Sequence, residues 1–142
     1  MDKWIPYLIA TGITLGLADF FIKLAADRIS NSIGFLIFGI CTFTISSAWF
    51  LWQRFHQIEH LITPSGIVAG TAAGIGFSFV TLGLYASFAS GAPITIASPV
   101  IRVSGLLIAS ILGLMILQEP LSWRHILGIL LALSGILLII TR

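Results

Sequence analysis

Five apolar runs, each long enough to cross a bilayer as a helix, dominate this sequence. They cover residues 4–26, 33–52, 65–90, 93–117 and 124–141. A helix needs roughly 20 residues to span the hydrocarbon core of about 30 Å. Only 8% of the residues are charged and 58% are hydrophobic, whereas a soluble domain carries about 25% charged residues. We therefore predict an all-α membrane protein, with five transmembrane helices in a single domain over residues 1–142.

The composition argues against several classes of function. A net charge of +2 is too small to form a basic face for nucleic acid. The single cysteine, Cys41, lies in an apolar run, and we interpret it as a small buried hydrophobe. Because the sequence contains no HExxH, CxxC, Walker or GxSxG pattern, we expect no enzyme activity, no cofactor and no metal site. A signal peptide beginning at Lys3 is disfavoured, since Asp19 and Lys23 interrupt the first run.

The segment 91–105 combines two features that are costly inside lipid. Arg102 falls at the depth of the hydrocarbon core, where a charge costs roughly 2.5–3.5 kcal/mol on insertion scales. Pro99 cannot donate a backbone hydrogen bond and predicts a helix break, as does Pro93. Ser98 shares a helical stripe with Arg102. We predict that Arg102 and Ser98 face a substrate or a polar partner in a wet cavity.

A second polar stripe runs along the first helix. Gly12, Gly16, Asp19 and Lys23 are spaced four, three and four residues apart, so they share one helical face. Asp19 and Lys23 have the spacing and order of a helical ion pair. Two interpretations stay open: a structural pair with Lys23 reaching the interface, or an Asp19 that meets Arg102 or a ligand inside the bundle.

Glycines at helical spacing predict close packing between helices, because they let two backbones approach. The set comprises Gly12, Gly16, Gly66, Gly70, Gly74, Gly105, Gly113, Gly128 and Gly135. On the third run, Phe77 and Tyr85 are candidate substrate contacts. The alternative for both is a core or lipid-facing position, which is the commoner fate of such aromatics.

Positive charges are nearly balanced between the two sides of the membrane. Lys3, Arg54 and Arg124 fall on the side of the N-terminus, and Lys23, Arg28 and Arg142 fall on the opposite side. Such a balance weakens the positive-inside signal that fixes orientation. Many transporters combine two repeats of opposite topology around a midplane site. We therefore predict that two copies of this chain insert in opposite directions and form an antiparallel homodimer.

Several motifs in the second half of the chain resemble a known family. They are Tyr85, Ala92-Pro93, Ser98-Pro99, Glu119, Trp123-Arg124 and Gly128. This pattern resembles one five-helix half of an EamA-type member of the drug/metabolite transporter superfamily. The resemblance implies export or exchange of small metabolites in a prokaryotic inner membrane, with four helices lining a cavity and a peripheral fifth. Thr95 and Ile96 stand where half-sized relatives often carry an Asp-Lys pair.

Three charged residues determine which substrate charge the predicted cavity prefers. Arg102, Lys23 and Asp19 sum to a positive site, which favours anionic or zwitterionic, amino-acid-like substrates. The expected partners are the lipid bilayer, a second copy of the chain and this small molecule. Two alternatives remain: a non-transporting membrane subunit in which Asp19 and Arg102 form a structural bridge, and a multidrug exporter of cationic compounds.

Overall fold

The structure, a computed structural model, describes residues 4–120 and 122–141 and is built of helices. These are α1 (Ile5–Ala26), α2 (Asn31–Phe55), α3 (Pro64–Ala89), α4 (Ile94–Met115) and α5 (Trp123–Ile140). All five are long and apolar enough to cross a membrane, and the described residues contain no strand. The prediction of an all-α, multi-pass integral membrane protein is confirmed. Lys3 and Arg142, used in the charge comparison, lie outside the described residues.

Local signals set the helix ends. Thr63 caps α3 by accepting a hydrogen bond from the Gly66 amide, and Ser122 caps α5 in the same way through the His125 amide. Gly91, directly after α3, has a φ of +88°, which glycine adopts without the penalty of a side chain. The main difference from the sequence prediction is α2, which extends to Phe55 before Gln57 takes a positive φ of 51°.

Helix contacts divide the chain into two units. The first unit ends at Gly91 and the second begins at Ala92. In the first unit, α3 packs against both α1 and α2, and α1 also contacts α2. In the second unit, α4 packs against α5.

The packed core of the first unit lies at one end, which we term the packed end. Its buried residues are Asp19, Gly34, Thr81, Leu84, Tyr85 and Phe88. They lie in the second half of α1, the beginning of α2 and the last turns of α3. Consecutive spanning helices alternate in direction, so these three helix ends share the side opposite the N-terminus. Most large apolar side chains elsewhere are exposed, as expected of residues that meet lipid.

Most of the predicted packing glycines have open space beside them. Among the described residues, a Cβ atom added at seven of them would meet no atom within 4 Å: Gly12, Gly16, Gly70, Gly74, Gly105, Gly128 and Gly135. A Cβ at the remaining two would meet local groups, the Thr63 hydroxyl at Gly66 and the Glu119 carboxylate at Gly113. Close packing of another helix at the seven positions therefore stays a prediction.

The helix break expected at Pro99 does not divide α4. The helix begins directly after Pro93, which is its N-cap residue, and continues through Pro99 to Met115. Pro99 lies in the second turn, where its missing amide removes one hydrogen bond, the one directed at the Thr95 carbonyl. A loss of one bond close to the helix start does not end the helix.

Candidate functional site

The packed end buries a carboxylate beside polar and aromatic side chains. Asp19 on α1 is only 2% exposed, and Thr81 on α3 is 6% exposed. The Thr81 hydroxyl donates to the Phe77 carbonyl of its own helix at 2.9 Å. A carboxylate at such a position is costly unless polar groups accompany it. Asp19 is therefore a strong candidate for a functional side chain of the first unit.

Lys23, one turn after Asp19, connects α1 to α3. Its ammonium lies 3.2 Å from the Asp27 carboxylate and donates to the Phe88 carbonyl at 3.4 Å. It also lies 5.8 Å from the centre of the Phe88 ring, within cation–π range. Asp27 is a partner that the sequence analysis did not name. The i, i+4 spacing of Lys23 and Asp27 is the signal in the sequence that indicates this pair.

Tyr85 packs between α3 and α2 at the packed end. The residue is 6% exposed. Its ring lies so close to Gly34 that a Cβ there would be 2.5 Å from ring atom Cε1. Phe77, the other aromatic candidate on α3, is 68% exposed. The structure thus brings Tyr85 to the packed end with Asp19 and Lys23, and leaves Phe77 on the outer surface of the first unit.

The second unit carries the remaining two candidate residues on α4. Ser98 and Arg102 are four residues apart, on one face of the helix, and both are partly buried. This arrangement matches the shared stripe expected from their spacing. A guanidinium and a hydroxyl one turn apart can together donate hydrogen bonds to one carboxylate.

Two cavities lie away from these residues. A groove of about 1160 Å³ runs between α2 and α3 and is lined by aromatic, aliphatic and small hydroxyl side chains. A smaller cavity of about 340 Å³ lies at the α4–α5 turn, beside Ser110, Glu119 and His125. There the Ser110 hydroxyl is 3.4 Å from the His125 ring nitrogen Nε2. Neither cavity was predictable from the sequence, since both depend on how helices pack.

Comparison with known proteins identifies the family. A model of the EamA-like transporter family matches residues 2–141. No curated protein and no solved structure matches the chain significantly. The match covers all five helices and includes the motifs around Tyr85, Pro93 and Glu119 that carried the sequence resemblance. Because the family model matches residues 2–141, which include all five membrane-spanning helices, this chain belongs to the EamA-like transporter family.

Proposed function

We propose that this chain carries small zwitterionic or anionic metabolites, amino-acid-like in chemistry, across a prokaryotic inner membrane. The observation that carries the proposal is the environment of Lys23. Its ammonium has three donors, and among the described residues it has two acceptors, the Asp27 carboxylate and the Phe88 carbonyl. The side chain also keeps 24% of its surface exposed. An ammonium with remaining capacity, next to the buried Asp19, suits a ligand that bears a carboxylate.

The charges favour a zwitterion over a simple anion. Lys23 and Arg102 are positive, and Asp19 is a buried acid. Asp27 offsets part of the Lys23 charge, although its 56% exposure weakens that effect through solvent screening. A substrate with both a carboxylate and an ammonium satisfies both signs. Arg102 is included because its guanidinium can bind a carboxylate and because it lies on α4 one turn after Ser98.

We propose further that the working unit is an antiparallel homodimer with a midplane cavity. Support comes from the near-equal count of positive charges on the two sides, and from the inverted five-helix halves of larger family members. The seven glycines that have open space beside them in the described part of the chain would let a second copy approach closely. Each dimer would then present two sets of the candidate residues.

Flux through proteoliposomes tests the proposal. The probes are labelled L-alanine, L-threonine, L-glutamate and malate, with the cationic dye ethidium as the counter-case. We expect amino-acid flux, and we expect Arg102→Ala and Arg102→Lys to reduce it to background, because neither keeps the planar donor fork. Arg54→Lys, in the last turn of α2, is the control, because it makes the same change as Arg102→Lys and keeps the positive charge on its side of the membrane; it should transport normally.

Three results would contradict this function. Normal flux in the Arg102 variants would remove that residue from the site. Ethidium flux without amino-acid flux would favour the multidrug alternative. No flux of any probe, together with normal insertion and stability of the double variant Asp19→Leu/Arg102→Leu, would favour a non-transporting subunit.

A further inference from the structure

We infer that Gly34 is a positioning residue, which holds Tyr85 so that the phenol hydroxyl can donate a hydrogen bond to the substrate carboxylate. This inference rests on the proposed transport of carboxylate-bearing metabolites. It concerns two residues of the first unit, on α2 and α3. Tyr85 thus binds the carboxylate of the substrate, and the start of α2 carries a glycine because the ring needs that space.

The contact between Gly34 and Tyr85 leaves no room for a side chain. A Cβ at Gly34 would lie 2.5 Å from Cε1, 2.7 Å from Cζ and 3.1 Å from the hydroxyl oxygen of Tyr85. Separations below about 3 Å are well inside van der Waals contact. Even a methyl group would therefore displace the ring, because the ring occupies the space that the methyl group would need.

This requirement is specific to one glycine of α2. Gly39, five residues further along the same helix, would place its Cβ in open space. Gly39 therefore provides a matched control with the same substitution on the same helix. Any effect found at Gly34 but not at Gly39 reflects the aromatic ring rather than a general preference of helices for alanine over glycine.

The Tyr85 hydroxyl makes no hydrogen bond within the described residues, although the side chain is buried. Tyr85 is 6% exposed in total, and no fully enclosed side-chain oxygen lacks a hydrogen-bond partner in this part of the chain. The phenol oxygen is therefore not fully enclosed and keeps some exposed surface. A buried phenol normally finds a partner. Here the substrate is the partner.

The surroundings fit a carboxylate as that partner. The Lys23 ammonium donates to the backbone carbonyl of Phe88, three residues after Tyr85, at 3.4 Å. The phenol O–H and the ammonium therefore lie at the same end of the unit, and both are donors to negative oxygens. A hydrogen bond to a charged group is strong enough that its loss weakens binding by about tenfold or more.

The first experiment follows the ring itself. The chain has two tyrosines, Tyr7 and Tyr85, so 3-fluorotyrosine labelling of a Tyr7→Phe background leaves one fluorine resonance. We expect Gly34→Ala to shift that resonance and Gly39→Ala to leave it in place. Addition of L-alanine should shift it in the parent protein. An unmoved resonance in the Gly34→Ala variant would overturn the inference.

The second experiment separates position from stability. In the flux assay, Gly34→Ala should raise KM by about tenfold with kcat largely kept, as should Tyr85→Phe, because both remove one hydrogen bond to the substrate. In a Tyr85→Leu background, Gly34→Ala should add nothing, since the ring that it displaces is absent. This comparison remains informative if the single variant proves unstable.

The outcomes distinguish the inference from the proposed function. A shifted resonance with an unchanged KM would show that Gly34 only packs the ring, and would overturn the positioning role. An additional loss in the Tyr85→Leu background would do the same. If the parent protein transports none of the amino acids, the proposed function fails, while the fluorine resonance still reports whether Gly34 fixes the ring.

Discussion

At the scale of single residues, Lys23 shows how a charge is accommodated at the end of a spanning helix. The Lys23–Asp27 pair is partly exposed, at 24% and 56% of the two side chains. Exposed pairs contribute less than about 1 kcal/mol. The contact with the Phe88 carbonyl is not essential either, because that oxygen also accepts the Gly91 amide at 3.0 Å. Stability therefore does not require the ammonium, which supports a role in binding.

This reasoning leads to a prediction for Lys23→Met, which keeps the length of the side chain and removes its charge. Flux of L-alanine should fall by about tenfold or more, since a hydrogen bond to a charged group is lost. The unfolding temperature in detergent should change little. A large loss of stability with proportionate loss of flux would instead make Lys23 a structural residue.

Asp27→Asn is the companion variant, and its expected effect is on preference rather than rate. Removing this carboxylate leaves the Lys23 charge less neutralised. We expect overall flux to persist and the ratio of malate to L-alanine transport to rise. Competition between the two labelled probes measures that ratio. A fall in the ratio would contradict the assignment of charges at this site.

Some of these residues were predictable from the sequence and others were not. Asp19, Lys23 and Tyr85 were named because a charge or an aromatic at regular spacing in an apolar run is unusual. Gly34 was not named, since it belongs to no repeated glycine pattern and its importance comes from a ring fifty-one positions away in the chain. Contacts of that kind depend on how α2 and α3 meet, which spacing along one helix does not specify.

At the scale of elements, Gly66, Gly70 and Gly74 lie at four-residue spacing on α3, and we term them the glycine ladder. A Cβ added at Gly70 or Gly74 would meet nothing within 4 Å among the described residues. The periodic pattern predicts close packing against another helix, yet it does not say which molecule provides that helix. By contrast, the helix bounds followed well from apolar length, cap residues and prolines, with Pro99 as the exception.

The ladder yields a prediction for Gly70→Leu. The first unit should keep its fold, because the new side chain meets open space. Self-association should weaken, because a bulky side chain prevents close approach of a second backbone. Energy transfer between dye-labelled copies in liposomes measures the association. Ala72→Leu, an exposed position off the ladder, is the control. Equal association in all three proteins would exclude this face of α3 from the dimer.

At the scale of the whole molecule, the balance of positive charge bears on how the chain enters the membrane. In the predicted five-span topology, the described positive residues at the helix ends are Arg54 and Arg124 on one side and Lys23 and Arg28 on the other. Orientation is set by small excesses of such charges. A balanced chain is therefore sensitive to one or two added arginines, and this sensitivity can be tested.

We predict that C-terminal reporters active on opposite sides of the membrane both give signals. Adding arginine between α2 and α3, as His56→Arg/His60→Arg, should fix one orientation, and Ser30→Arg/Ser90→Arg should fix the other. Each fixed variant should be inactive alone, and co-expression of the two should restore flux. A single orientation for the parent protein, or activity of each fixed variant alone, would rule out the antiparallel dimer.

The hydroxyl groups of the α2–α3 groove decide what that surface can attract. Thr42, Ser46, Thr71 and Ser78 each donate to a carbonyl of their own helix, at 2.8–3.0 Å. Because these four hydroxyl protons are already donated to backbone carbonyls, the four oxygens present only lone pairs to the groove. Lone pairs repel a carboxylate, and the remaining lining is hydrocarbon except for Ser32 at the start of α2, whose hydroxyl lies 3.3 Å from the Ser30 hydroxyl. An anion therefore finds few donors along the groove, whereas a fatty acyl tail can fill it and leave these four hydrogen bonds in place.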